Sequence, residues 1–256
     1  MYTLQCRNHI LKPLAEKYGI DTSDEAIRAA VEQHNEVCRL IRAIGDFRKE
    51  ANPRVTGYEF HILTLVSYVA PKHLIVDKLR ETLEEIKTRE PDAADKYRAR
   101  VVFVGSEVDD VDVIRLVEES GAYVCADRFC YGSLPGRDEI LLNDDEDVVK
   151  QVCRQVQGRA QCPRYWDMAK MTGRRDYVAD LAKEYGADGI IYEQMKFCDP
   201  WAYERMIGTI VLRDEHGYPV LAVDRPYSIG SSGQMRTRVQ AFVESIEIKK
   251  IQGGKK

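Results

Sequence analysis

Four short apolar runs in the second half of the chain constrain its fold most: Val101-Val102-Phe103-Val104-Gly105, Ala122-Tyr123-Val124-Cys125-Ala126-Asp127, Asp188-Gly189-Ile190-Ile191-Tyr192-Glu193 and Tyr218-Pro219-Val220-Leu221-Ala222-Val223-Asp224. Between and after them lie stretches whose apolar residues recur at helical spacing. Runs of this length without polar alternation are strands buried on both faces, and the intervening helices are the crossovers that parallel pairing needs. The expectation is an α/β protein with a four-stranded parallel sheet of flavodoxin or Rossmann-like type. Its helices are expected at about 109–120, 145–156, 166–185, 199–213 and 231–246, with Gly121 and Gly186 placed to end two of them.

The texture before Arg100 differs. Residues 22–90 read as helical: Thr22 and Glu25 form a capping-box pattern, and Ile27, Val31, His34, Cys38, Ile41 and Ile44 recur at three- and four-residue steps. Asn52-Pro53 breaks this helix, a second spans Gly57 to Val69, and Pro71 begins a third that runs through Leu74, Leu79, Leu83 and Ile86 to Pro91. The 256 residues therefore divide into a helical region 1–97, an α/β lobe 98–250 and a tail 251–256.

A net charge of -4 with acids and bases interleaved leaves no broad cationic face, so no nucleic acid is expected as partner. The longest apolar stretches, such as Ile62 to Ala70, are far too short to cross a membrane, and Met1 to Ile10 has no signal-peptide core. A soluble, cytoplasmic protein is expected. Seven cysteines, an odd number at irregular spacing, do not form a secreted disulfide framework, so free thiols or metal ligands are anticipated. No CxxC pair or CxxCxxC run is present, and any metal site has to be assembled from distant parts of the chain. The scattered histidines show no HExxH spacing, which argues against zinc.

In open parallel sheets, ligands bind beyond the carboxyl ends of the strands. Three segments are expected there: Asp127 to Ser133 after the second strand, Lys196 to Trp201 after the third, and Asp224 to Ser228 after the fourth. Cys130 and Cys198 fall in the first two. Either they are buried small hydrophobes, the common fate of a free cysteine, or they are thiolate ligands favoured by nearby helix amino termini and by Arg128 and Lys196. Cys162, in Gln161-Cys162-Pro163-Arg164, can reach the same edge. Cys125 inside a strand and Cys38 on an apolar helix stripe read as packing, and Cys6 and Cys153 offer no argument. Gly230-Ser231-Ser232-Gly233-Gln234 reads as an anion-holding turn or a plain helix cap, with Ser231, Ser232 and Arg236 as candidate cofactor-binding residues and Arg238 nearby. No GxGxxG, GxxxxGK[ST] or GxSxG is present, so no nucleotide site is expected in this chain.

Several segments resemble a known family in order and spacing: Ala126-Asp127-Arg128-Phe129-Cys130-Tyr131-Gly132-Ser133; Cys162-Pro163-Arg164; Asp188-Gly189-Ile190-Ile191 leading to Met195-Lys196-Phe197-Cys198-Asp199-Pro200-Trp201; and Gly233-Gln234-Met235-Arg236-Thr237-Arg238-Val239-Gln240-Ala241-Phe242. They resemble the 2-hydroxyacyl-CoA dehydratase and benzoyl-CoA reductase family, and Val55-Thr56-Gly57 with its apolar helix extends the likeness to nearly the whole chain. The resemblance implies two α/β lobes joined by helices around a 4Fe-4S cluster, of which this chain holds the helices and the second lobe. It implies Cys198 as that lobe's ligand, while the usual remaining ligands belong to an amino-terminal lobe without a counterpart here; from their place on the chain, Cys130 ranks second and Cys162 third as candidate ligands. Three explanations stay open: a fragment or split subunit, loss of the cluster, or a different site completed by Cys130 and Cys162.

The same resemblance implies an acyl-CoA substrate, a homologous catalytic subunit or the missing lobe as partner, and an ATP-hydrolysing iron-sulfur activator as electron donor. Ala126 to Gly136 looks closer to benzoyl-CoA reductase subunits. The implied function is radical reduction of an aromatic acyl-CoA by a subunit inactive on its own; the alternatives are a 2-hydroxyacyl-CoA dehydratase component or a noncatalytic scaffold lobe. The edge carrying Cys130, Cys198, Trp201 and Tyr227 is expected to be covered by another lobe or subunit, because a reducing site must exclude water and oxygen.

Overall fold

The computed structural model describes residues 1–91, 96–131, 138–158, 162–164, 167–227 and 232–253. The expected helical region opens with elements that the sequence pattern did not delimit: α1 (Tyr2–Cys6), a π-helical turn (Arg7–Leu11) and α2 (Lys12–Tyr18), ending at Gly19 in the left-handed region with φ 65°. None of these residues is fully buried, and Leu4, Ile10 and Tyr18 face solvent, so the segment lacks the apolar stripe by which a packed helix is recognised.

Helix α3 (Asp24–Asp46) starts one residue later than the Thr22 and Glu25 pattern suggested. Ser23 is the cap, its hydroxyl accepting from Ala26 N at 3.2 Å, because Asp21 already holds the Ser23 amide at 2.9 Å. A reciprocal capping box does exist at α4 (Gly57–Val69), between Thr56 and Glu59. Helix α5 (Lys72–Thr88) begins directly after Pro71. These three helices enclose a core of Val37, Ile41, Ile44, Phe60, Ile75, Leu79 and Ile86.

The lobe contains β1 (Ala99–Glu107), α6 (Val111–Glu119), β2 (Ala122–Tyr131), α7 (Val148–Gly158), α8 (Met168–Glu184), β3 (Gly189–Met195), α9 (Asp199–Asp214), β4 (Val220–Arg225) and α10 (Ser232–Gly253). Its four strands are all parallel in the order β2-β1-β3-β4. This is the expected α/β arrangement, with a flavodoxin-like strand order. Alternation along β1 sorts the two faces: Val101 and Phe103 pack with Val113, Ile114 and Val117 of α6 and Val239, Phe242 and Val243 of α10, while Val102 and Val104 pack with α8 and α9. The pairing of β1 with β2 slips at Val101/Val102, leaving Cys125 as the extra residue of a bulge. Cys125 and Cys38 are buried, and burial raises both thiol pKa values to about 11, as befits packing residues.

The helical region is pressed onto the lobe. A Cβ added at Gly57 would lie 2.6 Å from Val124 Cβ and 2.7 Å from Val124 O, so only glycine lets the start of α4 approach β2 this closely. Glu118 accepts from the Gly57 and Tyr58 amides at 2.8 and 3.1 Å, capping the same helix from across the junction. Arg48, in the 3-10 turn Phe47–Lys49, is fully buried between the Phe60 ring at 3.7 Å and Asp127 of β2 at 3.1 Å. Arg100 reaches the other way from β1 and donates to the Arg48 and Glu50 carbonyls at 2.6 and 3.0 Å. Among the described residues, no helix is long and apolar enough to cross a membrane.

Candidate functional site at the carboxyl edge of the sheet

The crossover from β2 to β3 passes over β1, so the direction in which strands are added reverses between β1 and β3, and in open parallel sheets ligands bind beyond the carboxyl ends at such a point. A buried polar network lies at these strand ends. Glu193, near the end of β3 and fully buried, accepts from Ser106 N at 3.0 Å and Ser106 Oγ at 2.8 Å, and Ser106 Oγ in turn accepts from Met195 N at 2.6 Å. Arg225 Nε lies 2.9 Å from Glu193 Oε1, an ion pair whose angle falls short of a hydrogen bond. Arg225 also donates to the Pro226 and Tyr227 carbonyls, both at 3.2 Å, and its own carbonyl accepts from Lys196 N at 2.7 Å. The carboxylate thereby ties the loop after β3 to the loop after β4. Gly105 leaves room for it, since an added Cβ would lie 2.5 Å from Glu193 Oε2 and 2.4 Å from its carbonyl oxygen. The visible sign of this network was a charge inside an apolar strand run, Ile190-Ile191-Tyr192-Glu193, which sequence reasoning passed over.

Burial raises the Glu193 pKa from 4.5 to about 7, against the opposing pull of Arg225 and Ser106. The folded protein therefore binds more protons than the unfolded chain between pH 4.5 and about 7. The contribution of this group is fully present below the unfolded pKa and is lost as pH rises through the folded value. In urea titrations over this range, wild type should lose stability relative to Glu193→Gln by on the order of 3 kcal/mol. Parallel pH profiles for the two proteins would refute the assignment.

Cys198 follows β3 and sits at the amino terminus of α9, as the sequence suggested. Cys130 differs from expectation in one respect. It lies within β2, whose pairing with β1 continues to Glu107 and Tyr131, so Asp127, Arg128 and Phe129 are strand residues of the interior and not loop residues. Their polarity is accommodated by Arg48 on Asp127 and by the Tyr177 and Trp201 rings, each 5.7 Å from the Arg128 guanidinium. Asp224 and Arg225 likewise end β4.

Cys130 and Cys198 pack, half-buried, against the same side of the sheet as α8 and α9. Cys162, also half-buried, acts electrostatically on both. Burial pushes the Cys130 thiol up to about 12, and Cys162 and Cys198 add to the rise. Burial raises Cys198 as well, while the Trp201 backbone amide and the Arg164 charge draw it down. As free thiols, Cys130 and Cys198 thus keep their protons, and a metal would have to displace them. The buried Trp201 Nε1–H makes no hydrogen bond of normal geometry, although it is close enough to Cys130 to lower that thiol's pKa. An indole donor beside a thiol suits a sulfur that carries negative charge.

Among the described residues, no three His, Cys, Asp or Glu side chains are arranged to hold one metal ion. The thiols match an iron-sulfur cluster in kind, and Cys130, Cys162 and Cys198, the residues that would hold it, fall one short of the usual set of four cysteines.

Trp201 is part of this chain's own core, 1 % exposed, so it does not form the open aromatic edge; the first turn of α9 folds it down onto Tyr192. Tyr227 remains 60 % exposed and donates to Asp109 at 2.7 Å. Among the described residues, the edge's most exposed aromatic ring is instead Phe197, 97 % exposed, with φ 70° in the left-handed region that non-glycine residues rarely occupy. Of the proposed anion turn, Ser231 lies outside the described residues, and Ser232 is described only by its backbone, as the first residue of α10. Arg236 pairs at 2.8 Å with Glu119 of α6. A small cleft at this place is lined by Asp224, Arg225, Pro226, Gln234, Met235 and Arg238, the last donating to Ala222 O at 2.6 Å.

Residues 2–246 match the family described as 2-hydroxyglutaryl-CoA dehydratase, D-component. The chain is 25 % identical over 238 residues to the (R)-phenyllactyl-CoA dehydratase beta subunit of Clostridium sporogenes, covering 92 % of this chain and 61 % of that one. It is 24 % identical over 250 residues to the beta subunit of (R)-2-hydroxyglutaryl-CoA dehydratase from Acidaminococcus fermentans, covering 96 % and 64 %. Against a benzoyl-CoA reductase subunit of Thauera aromatica it is 22 % identical over 246 residues, covering 94 % and 62 %. The chain thus spans a little over three fifths of the length of these relatives. By the extent of the match, from the first helix to the last, the chain belongs to the 2-hydroxyglutaryl-CoA dehydratase D-component family.

Proposed function

We propose that this chain is an iron-sulfur, electron-accepting component of a benzoyl-CoA reductase-type enzyme, completed by a further lobe or subunit. The observation that carries the reading is the gathering of thiols from three separate segments, Cys130, Cys162 and Cys198, at the carboxyl edge. A 4Fe-4S cluster bound there would supply the low potential needed to put an electron on an aromatic acyl-CoA, which hydride donors and side chains do not reach. The chain's own residues would hold and shelter it. Cys198 stands at a helix amino terminus that favours a thiolate, Arg164 adds positive charge, and Trp201 offers its indole donor next to Cys130. A fourth ligand and the cover over Phe197 would come from the partner, and an ATP-hydrolysing iron-sulfur activator would deliver the electron. In support of a partner, the relatives are named as subunits.

A second reading, dehydration of a 2-hydroxyacyl-CoA, is favoured by the names of the family and of two of these relatives. Complexes isolated anaerobically with their associated chains should separate the two: cyclic diene product from an aromatic acyl-CoA supports reduction, and an enoyl-CoA from a 2-hydroxyacyl-CoA supports dehydration. The cluster itself is tested on the chain with iron and sulfide analysis and electron paramagnetic resonance after anaerobic reconstitution. Loss of the signal in Cys198→Ser, with weaker losses in Cys130→Ser and Cys162→Ser, is expected. A cluster signal unchanged by Cys198→Ser would overturn the assignment.

A further inference from the structure

The amino-terminal helix is held to the lobe by a small patch. Cys6, the last residue of α1, and Leu11 pack against Val148, Val149 and Cys153 of α7, with Ile27 and Leu142 closing the cluster. Beside it Arg7 pairs with Asp147, just before α7, and lies 4.0 Å from Asp24 at the start of α3. Cys6 is half-buried and Cys153 buried, and neither is in a disulfide. Both side chains belong to this one cluster, and the Cys6 thiol is near enough to Cys153 to raise its pKa. The other five cysteines lie in α3, in β2 or at the carboxyl edge, so this is a thiol pair separate from the candidate cluster site. One member is reachable from solvent and the other is shielded. That is the arrangement of an attacking and a resolving thiol.

We propose that Cys6 and Cys153 are a redox modification site, a dithiol that a low-molecular-weight disulfide such as oxidised glutathione converts to an intramolecular disulfide. The Cys6 thiolate attacks one sulfur of the oxidant, forming a mixed disulfide and releasing one small thiolate. Cys153 then gives up its proton and attacks the Cys6 sulfur, displacing the second small thiolate. Two protein thiols are oxidised, one small disulfide is reduced to two thiols, and the two protons pass to the departing thiolates. Burial raises the Cys153 pKa, and the Cys6 thiol beside it raises it further, so Cys153 is suited to resolve the mixed disulfide and not to start the reaction. The product links α1 covalently to α7, the helix that leads toward Cys162.

The full chain, purified without oxygen, is treated with oxidised glutathione, denatured in an alkylating agent, digested and analysed by mass spectrometry. The expected result is loss of both Cys6 and Cys153 from the alkylated set and appearance of one linked peptide containing them, reversed by a dithiol reductant. Cys6→Ser should leave Cys153 fully alkylatable, and Cys153→Ser should leave Cys6 as a stable glutathione adduct. Cys6→Ser changes a half-buried position and preserves the test if Cys153→Ser does not fold. Persistent alkylation of both residues in the wild type, a glutathione adduct on Cys6 with Cys153 still alkylatable, or linkage of either residue to another cysteine would each overturn the proposal.

Discussion

Arg48→Ala is expected to lower the unfolding free energy by about 3–5 kcal/mol, the range for removing one member of a buried ion pair. The guanidinium is fully buried, and its loss breaks an ion pair with the buried Asp127 carboxylate at 3.1 Å. It also removes the cation stacked 3.7 Å from the Phe60 ring centre and opens space between the helical region and β2. The interior of the helices and the interior of the lobe meet at this side chain, so a single urea transition should shift as a whole. Arg48→Lys keeps the charge but not the planar stack, and should lose an intermediate amount. A shift below about 1 kcal/mol for Arg48→Ala would mean that Asp127 is solvated and the junction is not packed as described.

Trp201→Ala should be of similar size, about 3–5 kcal/mol, as for other large-to-small changes of buried aromatic residues. Its ring lies 6.3 Å from that of Tyr192 and under the Arg128 guanidinium, and it braces the first turn of α9. The variant has a second readout. With the indole gone, Cys130 loses its cover, so a colourless disulfide reagent should titrate it faster than in wild type even though loss of the indole donor raises the thiol pKa. Trp201→Phe keeps most of the volume without the N–H and should retain most of the stability. Wild-type reactivity of Cys130 in Trp201→Ala would show that the indole does not shield the thiol.

The parallel sheet was legible because its strands are covered on both faces and read as uninterrupted apolar runs. The limits of those strands were not, since Asp127 and Arg128 look like loop residues until Arg48, Tyr177 and Trp201 are known to surround them. The same blindness hid Glu193, whose partners Ser106 and Arg225 come from other strands. Local rules also set no bounds for the first helix, which buries none of its residues fully and whose segment meets the lobe's apolar cluster only through Cys6 and Leu11. At the site, Cys198 and Cys130 could be placed by the strands they follow or end, but the inward turn of Trp201 and the outward turn of Phe197 depend on how one loop bends at φ 70°. Spacing carries no information on such a bend.

The strand order also governs the time course of making the protein. β1 is central, yet its partner on one side is distant along the chain: Ser106 and Glu193 are 87 positions apart. At roughly 5–20 residues per second, a ribosome delivers that much chain in on the order of 10 s. Until β3 is made, the edge of β1 that it covers has no partner strand from this sheet, the condition under which a nascent chain joins the wrong neighbour. The Ser106 hydroxyl and amide wait in water for Glu193 over the same interval, and Arg225 arrives later still. Slowed translation or a shortage of chaperone should therefore harm this chain before β3 is made, and matter far less once β4 has emerged.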